Sequence, residues 1–105
     1  MLPKWWRDWK DEKKAFGWYK KSAEQNYSDA QNRLGIYYKN GKSIEKDLVK
    51  AVYWYKKAAE NENKYAQYNL GRCYKYGNGV EKDEIKAFEW YKNQLKMDIL
   101  VQNSN

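Results

Sequence analysis

The sequence predicts an all-α superhelix of about two and a half helix-pair repeats, and three observations carry that prediction. First, Ala30-Gln31-Asn32-Arg33-Leu34-Gly35-Ile36-Tyr37-Tyr38-Lys39-Asn40-Gly41 returns 36 residues later as Ala66-Gln67-Tyr68-Asn69-Leu70-Gly71-Arg72-Cys73-Tyr74-Lys75-Tyr76-Gly77. Second, half of the unit occurs a third time, since Asp11, Ala15, Trp18 and Tyr19 recur as Asp47, Ala51, Trp54 and Tyr55 and again as Asp83, Ala87, Trp90 and Tyr91. Third, the apolar residues of every copy fall at helical spacing. A unit of this length stacks on its neighbours to bury its apolar face, and such arrays serve to offer an extended surface.

In chain order, a half repeat over 8–27 supplies one helix at about 12–25. The repeat 28–63 supplies a pair at 28–40 and 47–61, and the repeat 64–97 a pair at 64–76 and 83–96. A tail, 98–105, ends the single domain 1–105. The first helix of each pair is marked by Ala30, Leu34 and Tyr38, or Ala66, Leu70 and Tyr74, at i, i+4 and i+8. Gly41 and Gly77 end it, because glycine accepts the left-handed conformation that closes a helix. Asp47 and Asp83 stand where the N-cap of the second helix is wanted, with Ile44 and Val80 just upstream. That helix buries Ala51, Trp54, Tyr55 and Ala58, and then Ala87, Trp90 and Tyr91. Gly35 and Gly71 sit in mid-helix, where glycine costs roughly 1 kcal/mol; close approach by the Trp54 or Trp90 ring is the expected reason. After Gln94-Leu95 the sequence predicts an irregular apolar tail with Met97, Ile99, Leu100 and Val101.

Of the 105 residues 42% are hydrophobic, much of that from 11 Tyr and 6 Trp, so the core is built from large rings. No segment reaches the ~20 apolar residues of a membrane span, and the start lacks the apolar stretch of a leader. The single cysteine, Cys73, fits a reducing compartment, and a cytoplasmic protein is expected. It is read as a small packed helix residue. The formal net charge of +7 is spread along the chain among acidic residues, as on solvated helix faces. That leaves a nucleic-acid or acidic-membrane-surface binder as the alternative to a protein-binding module.

Catalytic chemistry finds little support. Histidine, the commonest general base and metal ligand, is absent. Cys73 has only helix-surface neighbours in Arg72 and Lys75, and Gly77-Asn78-Gly79 lacks the strand and lysine of a phosphate loop. Glu45, Asp47, Glu81, Asp83 and Glu84 suit first-turn and capping positions. Trp54-Tyr55-Lys56-Lys57 imitates a base-stacking platform, but its recurrence on a core stripe explains it better. No catalytic residue, metal, cofactor or small-molecule substrate is expected.

The segment Leu70-Gly71-Arg72-Cys73-Tyr74-Lys75-Tyr76-Gly77-Asn78-Gly79-Val80-Glu81-Lys82-Asp83-Glu84-Ile85-Lys86-Ala87-Phe88-Glu89-Trp90-Tyr91-Lys92 closely resembles the Sel-one-like repeat, a relative of the tetratricopeptide repeat with a longer loop. The resemblance covers roughly residues 8–95 and departs at Lys42 and Ser43, where the family has a second glycine; a changed loop over an unchanged core is expected there. It implies a tetratricopeptide-like solenoid and a non-catalytic adaptor, of the kind used in signalling and protein quality control. A secreted, cysteine-rich branch, with members described as binding or hydrolysing β-lactams, joins the second helix of one unit to the first helix of the next by a disulfide. This chain has Ala23 and Ala59, and Gln31 and Gln67, at the aligned positions, and so does not resemble that branch.

The resemblance also implies where a partner sits. The face left after Leu34 and Tyr38 turn inward carries Asn32, Ile36, Lys39 and Asn40, and its second copy carries Tyr68, Arg72, Lys75 and Tyr76. These positions correspond to the concave surface of tetratricopeptide-like arrays, and their aromatic, amide and cationic groups suit an acidic or C-terminal carboxylate peptide. Because the array begins in mid-unit, a piece of a longer repeat protein is expected. Trp5, Trp6 and Trp9 and the apolar tail would cap its ends, and incomplete capping would let it self-associate.

Overall fold

The computed structural model describes residues 1, 3, 4, 7, 10–41 and 44–103, with side chains through Lys96. Its helices are α1 (Glu12–Glu24), α2 (Ser28–Asn40), α3 (Leu48–Glu60), α4 (Lys64–Tyr76) and α5 (Glu84–Asn103). No strand occurs among the described residues. Each helix packs chiefly on the helices before and after it in sequence, as a stacked array requires. The expected caps of Trp5, Trp6 and Trp9 and the loop change at Lys42 and Ser43 lie outside the described residues.

The turns follow from their residues. Asp11, Asp47 and Asp83 each accept from first-turn backbone N–H groups, at 3.0 Å from Lys13, Lys50 and Lys86 respectively. Gly41 and Gly77 close α2 and α4 with φ of 67° and 69°. The chain then returns to the helix it has left: the Asp47 and Asp83 amides donate to the Tyr38 and Tyr74 carbonyls, both at 2.9 Å. The reverse turns, from second-type to first-type helix, use left-handed non-glycine residues, Asn26 at φ 71° and Glu62 at φ 65°. No sequence pattern announced them, since neither position holds glycine.

Small residues let the helices approach. Ala59, Ala66, Leu70 and Cys73 bury beside Ala51, Val52, Tyr55 and Ala58, and Ala23, Ala30 and Leu34 form a second cluster. Cys73 is a free, buried thiol. Between units, where the cysteine-rich branch implies a disulfide, an amide makes the link: Gln31 Nε2 donates to the Ala23 carbonyl at 3.2 Å and Gln67 Nε2 to the Ala59 carbonyl at 3.3 Å.

Two expectations are corrected. The ring over each mid-helix glycine is tyrosine. A Cβ on Gly35 would stand 2.5 Å from the Tyr55 ring, and one on Gly71 2.7 Å from Tyr91. Trp54 is only half-buried and packs against the Ala23–Ala30–Leu34 cluster, at the junction of the half repeat and its own repeat, while Trp90 packs in the same way against the cluster that joins Ala59 to Ala66 and Leu70. The tryptophan thus packs at the edge of a junction cluster, and Trp18, with no such cluster among the described residues before it, is 51% exposed. The second correction is the tail. Helix α5 continues to Asn103, because no glycine or proline stands between Glu84 and that residue to stop it.

Candidate interaction surface

Helices α2 and α4 lie side by side with their first turns tied together. Asn63, the N-cap of α4, donates through its side chain to Asp29 Oδ1 at 2.7 Å, and Asn69 Nδ2 donates to Asn32 Oδ1 at 3.0 Å two turns further on. These bonds hold open a cleft of about 900 Å³ whose walls come from the end of α1, from α2 and from α4. Asn32 and Ile36 are half-buried in it, Tyr68 is exposed on its far wall, and Tyr19, Tyr27, Tyr65 and Arg33 complete its rim.

A second cleft, of about 490 Å³, begins on the other side of Tyr68 and runs over Arg72, Lys75 and Tyr76 to Tyr91 and Gln94 of α5. Tyr68 and Tyr91 meet with ring centroids 5.9 Å apart. The Arg72 guanidinium lies 5.9 Å from the Tyr68 ring centre and 5.8 Å from that of Tyr76, so its charge is held between two aromatic rings. Lys75 sits 5.3 Å from the Tyr76 ring. Burial pushes the Tyr91 phenol above its ordinary pKa, against the opposing pull of Lys75. The same desolvation raises Tyr19, with Arg33 opposing it. Both rings stay neutral phenols at physiological pH and offer hydroxyl donors beside fixed cations.

The eight residues predicted from sequence thus divide between settings. Asn32, Ile36 and Tyr68 belong to the larger cleft, and Tyr68, Arg72, Lys75 and Tyr76 to the smaller one. Asn40 lies on a side rim with Ile36, Tyr19 and Arg33, and Lys39 lies with Arg72 over the buried Tyr55 and Cys73. That pair of cations partly offsets the rise that burial imposes on the Cys73 thiol. Sequence reasoning missed Tyr19, Tyr27, Tyr65 and Asn69. Tyr27 and Tyr65 occupy non-equivalent places in the repeat, and only the stacking of units brings them to one rim.

The family model that matches the chain is the Sel1 repeat, over residues 10–27, 28–63 and 64–93. Among solved structures, a Sel1 repeat protein from Oxalobacter formigenes is 39% identical, over 78% of this chain and 34% of that one, with a TM-score of 0.76. The protein c5321, a protective antigen of uropathogenic Escherichia coli strains that displays an SLR fold, is 34% identical over 80% of this chain and 18% of its own, with a TM-score of 0.78. Cysteine rich protein B of Helicobacter pylori is 31% identical over 82% of this chain and 65% of its own, with a TM-score of 0.80. The chain spans less than two-thirds of each of these proteins. No curated protein sequence matches it.

Proposed function

The chain belongs to the Sel1 repeat family, whose repeats are generally non-catalytic protein-interaction modules, and on that premise we propose that the paired clefts of α2 and α4 bind an extended, acidic segment of a protein partner. The observation that carries this reading is the joint at Tyr68, where an aromatic cleft of about 900 Å³ runs into one holding Arg72 and Lys75. Tyrosine walls give contact area at small entropic cost, and arginine held between rings gives a pre-oriented partner for carboxylates. The hydrogen bond that the Asn69 side chain donates to Asn32 Oδ1 fixes the floor before anything binds. An adaptor role in signalling or quality control is consistent with such a surface. A cytoplasmic setting fits too, since Gln31 and Gln67 link units with hydrogen bonds that need no oxidant. No helix among the described residues is long and apolar enough to cross a membrane.

The test is capture of a partner from nuclease-treated lysate by three baits: the parent chain, Arg72→Glu with Lys75→Glu, and Lys20→Glu with Lys56→Glu. The first pair lies in the cleft and the second is exposed on the other class of helix. The reading expects the cleft variant to lose the protein partner and the control to keep it, with equal helicity. Equal losses would favour a nucleic-acid or acidic-membrane binder, whose affinity follows total charge.

A further inference from the structure

Helix α5 has two apolar faces, and the fold uses one. Toward α4 it presents Ala87, Trp90, Tyr91 and Gln94, all buried or half-buried. On the far side Ile85, Phe88 and Leu95 are 74%, 65% and 61% exposed. With Lys92 they stand at i, i+3, i+7 and i+10, the spacing of a helix–helix seam.

Two of the equivalent positions earlier in the array are covered, while Ile85 corresponds to Val49, itself 69% exposed. Phe88 corresponds to Val52 and Leu95 to Ala59, which are 7% and 2% exposed. There the cover is the next repeat at very short range: the Gly79 turn rests on the Leu48 carbonyl and Val52, and Ala66 joins Ala59 in one cluster. Phenylalanine for valine and leucine for alanine would block so close an approach by another repeat. They fit a helix lying alongside at ordinary seam distance. The charges beside the seam set its direction. Of the charged residues Glu84, Lys86, Glu89, Lys92 and Lys96 along α5, Glu89 and Lys96 flank the seam, so these two pair across it when the helices run antiparallel and meet their like when parallel.

We infer that the outer face of α5 is a homodimer interface, in which two copies pack antiparallel about a two-fold axis, burying Phe88 and Leu95 and setting Glu89 of each copy against Lys96 of the other. The larger cleft takes no residue from α5, so the dimer leaves it open and is independent of the partner-binding reading there; the smaller cleft ends at Tyr91 and Gln94, on the flank of α5 turned toward α4.

Sedimentation equilibrium of the 105-residue chain over the micromolar range tests it. A reversible monomer–dimer equilibrium is expected. Phe88→Glu with Leu95→Glu should give a monomer of unchanged helicity, since both residues are exposed. Lys96→Glu should weaken the dimer by about tenfold or more, and adding Glu89→Lys should restore it. Trp18→Ala, at the other end of the array, should leave the dimer intact. A monomer at every concentration, a dimer that survives the double glutamate variant or is lost with Trp18, or a charge swap that fails to restore association would each overturn the interface.

Discussion

The two complete repeats use the same residues for the same tasks, yet the first is finished and the second is not. Tyr55 roofs Gly35 and is 1% exposed, whereas Tyr91 roofs Gly71 and is only half-buried. Gln31 Nε2 donates to the Ala23 carbonyl and to Asn26 Oδ1, both at 3.2 Å, and its Oε1 accepts from Asn61 Nδ2 at 3.3 Å. Gln67 makes the equivalent bond to Ala59, but its buried Oε1 has no partner among the described residues. Asn61 caps the end of α3, whereas α5 runs on as helix through the corresponding position. Burial in a stacked array is thus conferred by the unit that follows: the same tyrosine becomes a core residue only where another repeat closes over it.

The largest effect should come from testing the tyrosines directly. Tyr55→Ala should cost on the order of 3–5 kcal/mol, a large part of the roughly 5–15 kcal/mol that holds a small domain. Tyr91→Ala should cost about half as much. Denaturant titration measures both, and equal losses would show that the second unit is as well closed as the first.

The glycines sharpen the point by addition. Alanine gains roughly 1 kcal/mol of helix propensity over glycine, but at Gly35 its Cβ would press on a ring that is enclosed on all sides. Overpacking of that kind costs roughly 1–3 kcal/mol, so Gly35→Ala should destabilise. Gly71→Ala should be close to neutral, because the half-exposed Tyr91 ring can swing away. If thermal melting ranks the two in the opposite order, the freedom assigned to Tyr91 is wrong.

Much of this was legible in the sequence, and what was not has a physical cause. Spacing and punctuation placed the helices α1 to α5, because Asp47, Asp83, Gly41 and Gly77 act locally and their chemistry depends on little beyond the chain around them. The choice between Trp54 and Tyr55 was different. Neighbours on a helix point about 100° apart, both recur, and the rotation that buries one is fixed by the groove at Gly35, a contact between helices. The clefts were half legible for the same reason: residues on α2 and α4 could be read from one face, while Tyr19 joins them only through the stacking of α1 against α2. Helix α5 ran past its expected end because nothing in its own sequence stops it.

The interunit amides come next in size. Gln31→Ala removes three hydrogen bonds and leaves the Ala23 carbonyl with one donor fewer, a loss of about 1–3 kcal/mol. Gln67→Ala removes a single bond and also an unpartnered carbonyl, so the two effects offset. Equal destabilisation by the two glutamine variants in denaturant titration would break the contrast between the repeats.

The smallest effect is silent at neutral pH and emerges in alkali. Burial pushes the Tyr55 phenol well above its ordinary value of 10.0, with the nearby Cys73 adding to the rise, and burial also lifts Cys73 above 9.0. Below those values folded and unfolded chains are equally protonated, so stability does not depend on either group. Above them the unfolded chain releases protons that the folded chain still holds, and stability falls as pH rises, first past 9 and then past 10. Tyr91 is also raised by desolvation, but lysine and arginine oppose the shift. Tyr55→Phe should therefore flatten the alkaline loss measured by denaturant titration from pH 8 to 11, while Tyr91→Phe should leave most of it in place. Identical profiles for the two variants would mean that both rings feel the same solvent, and that the first repeat is no better closed than the second.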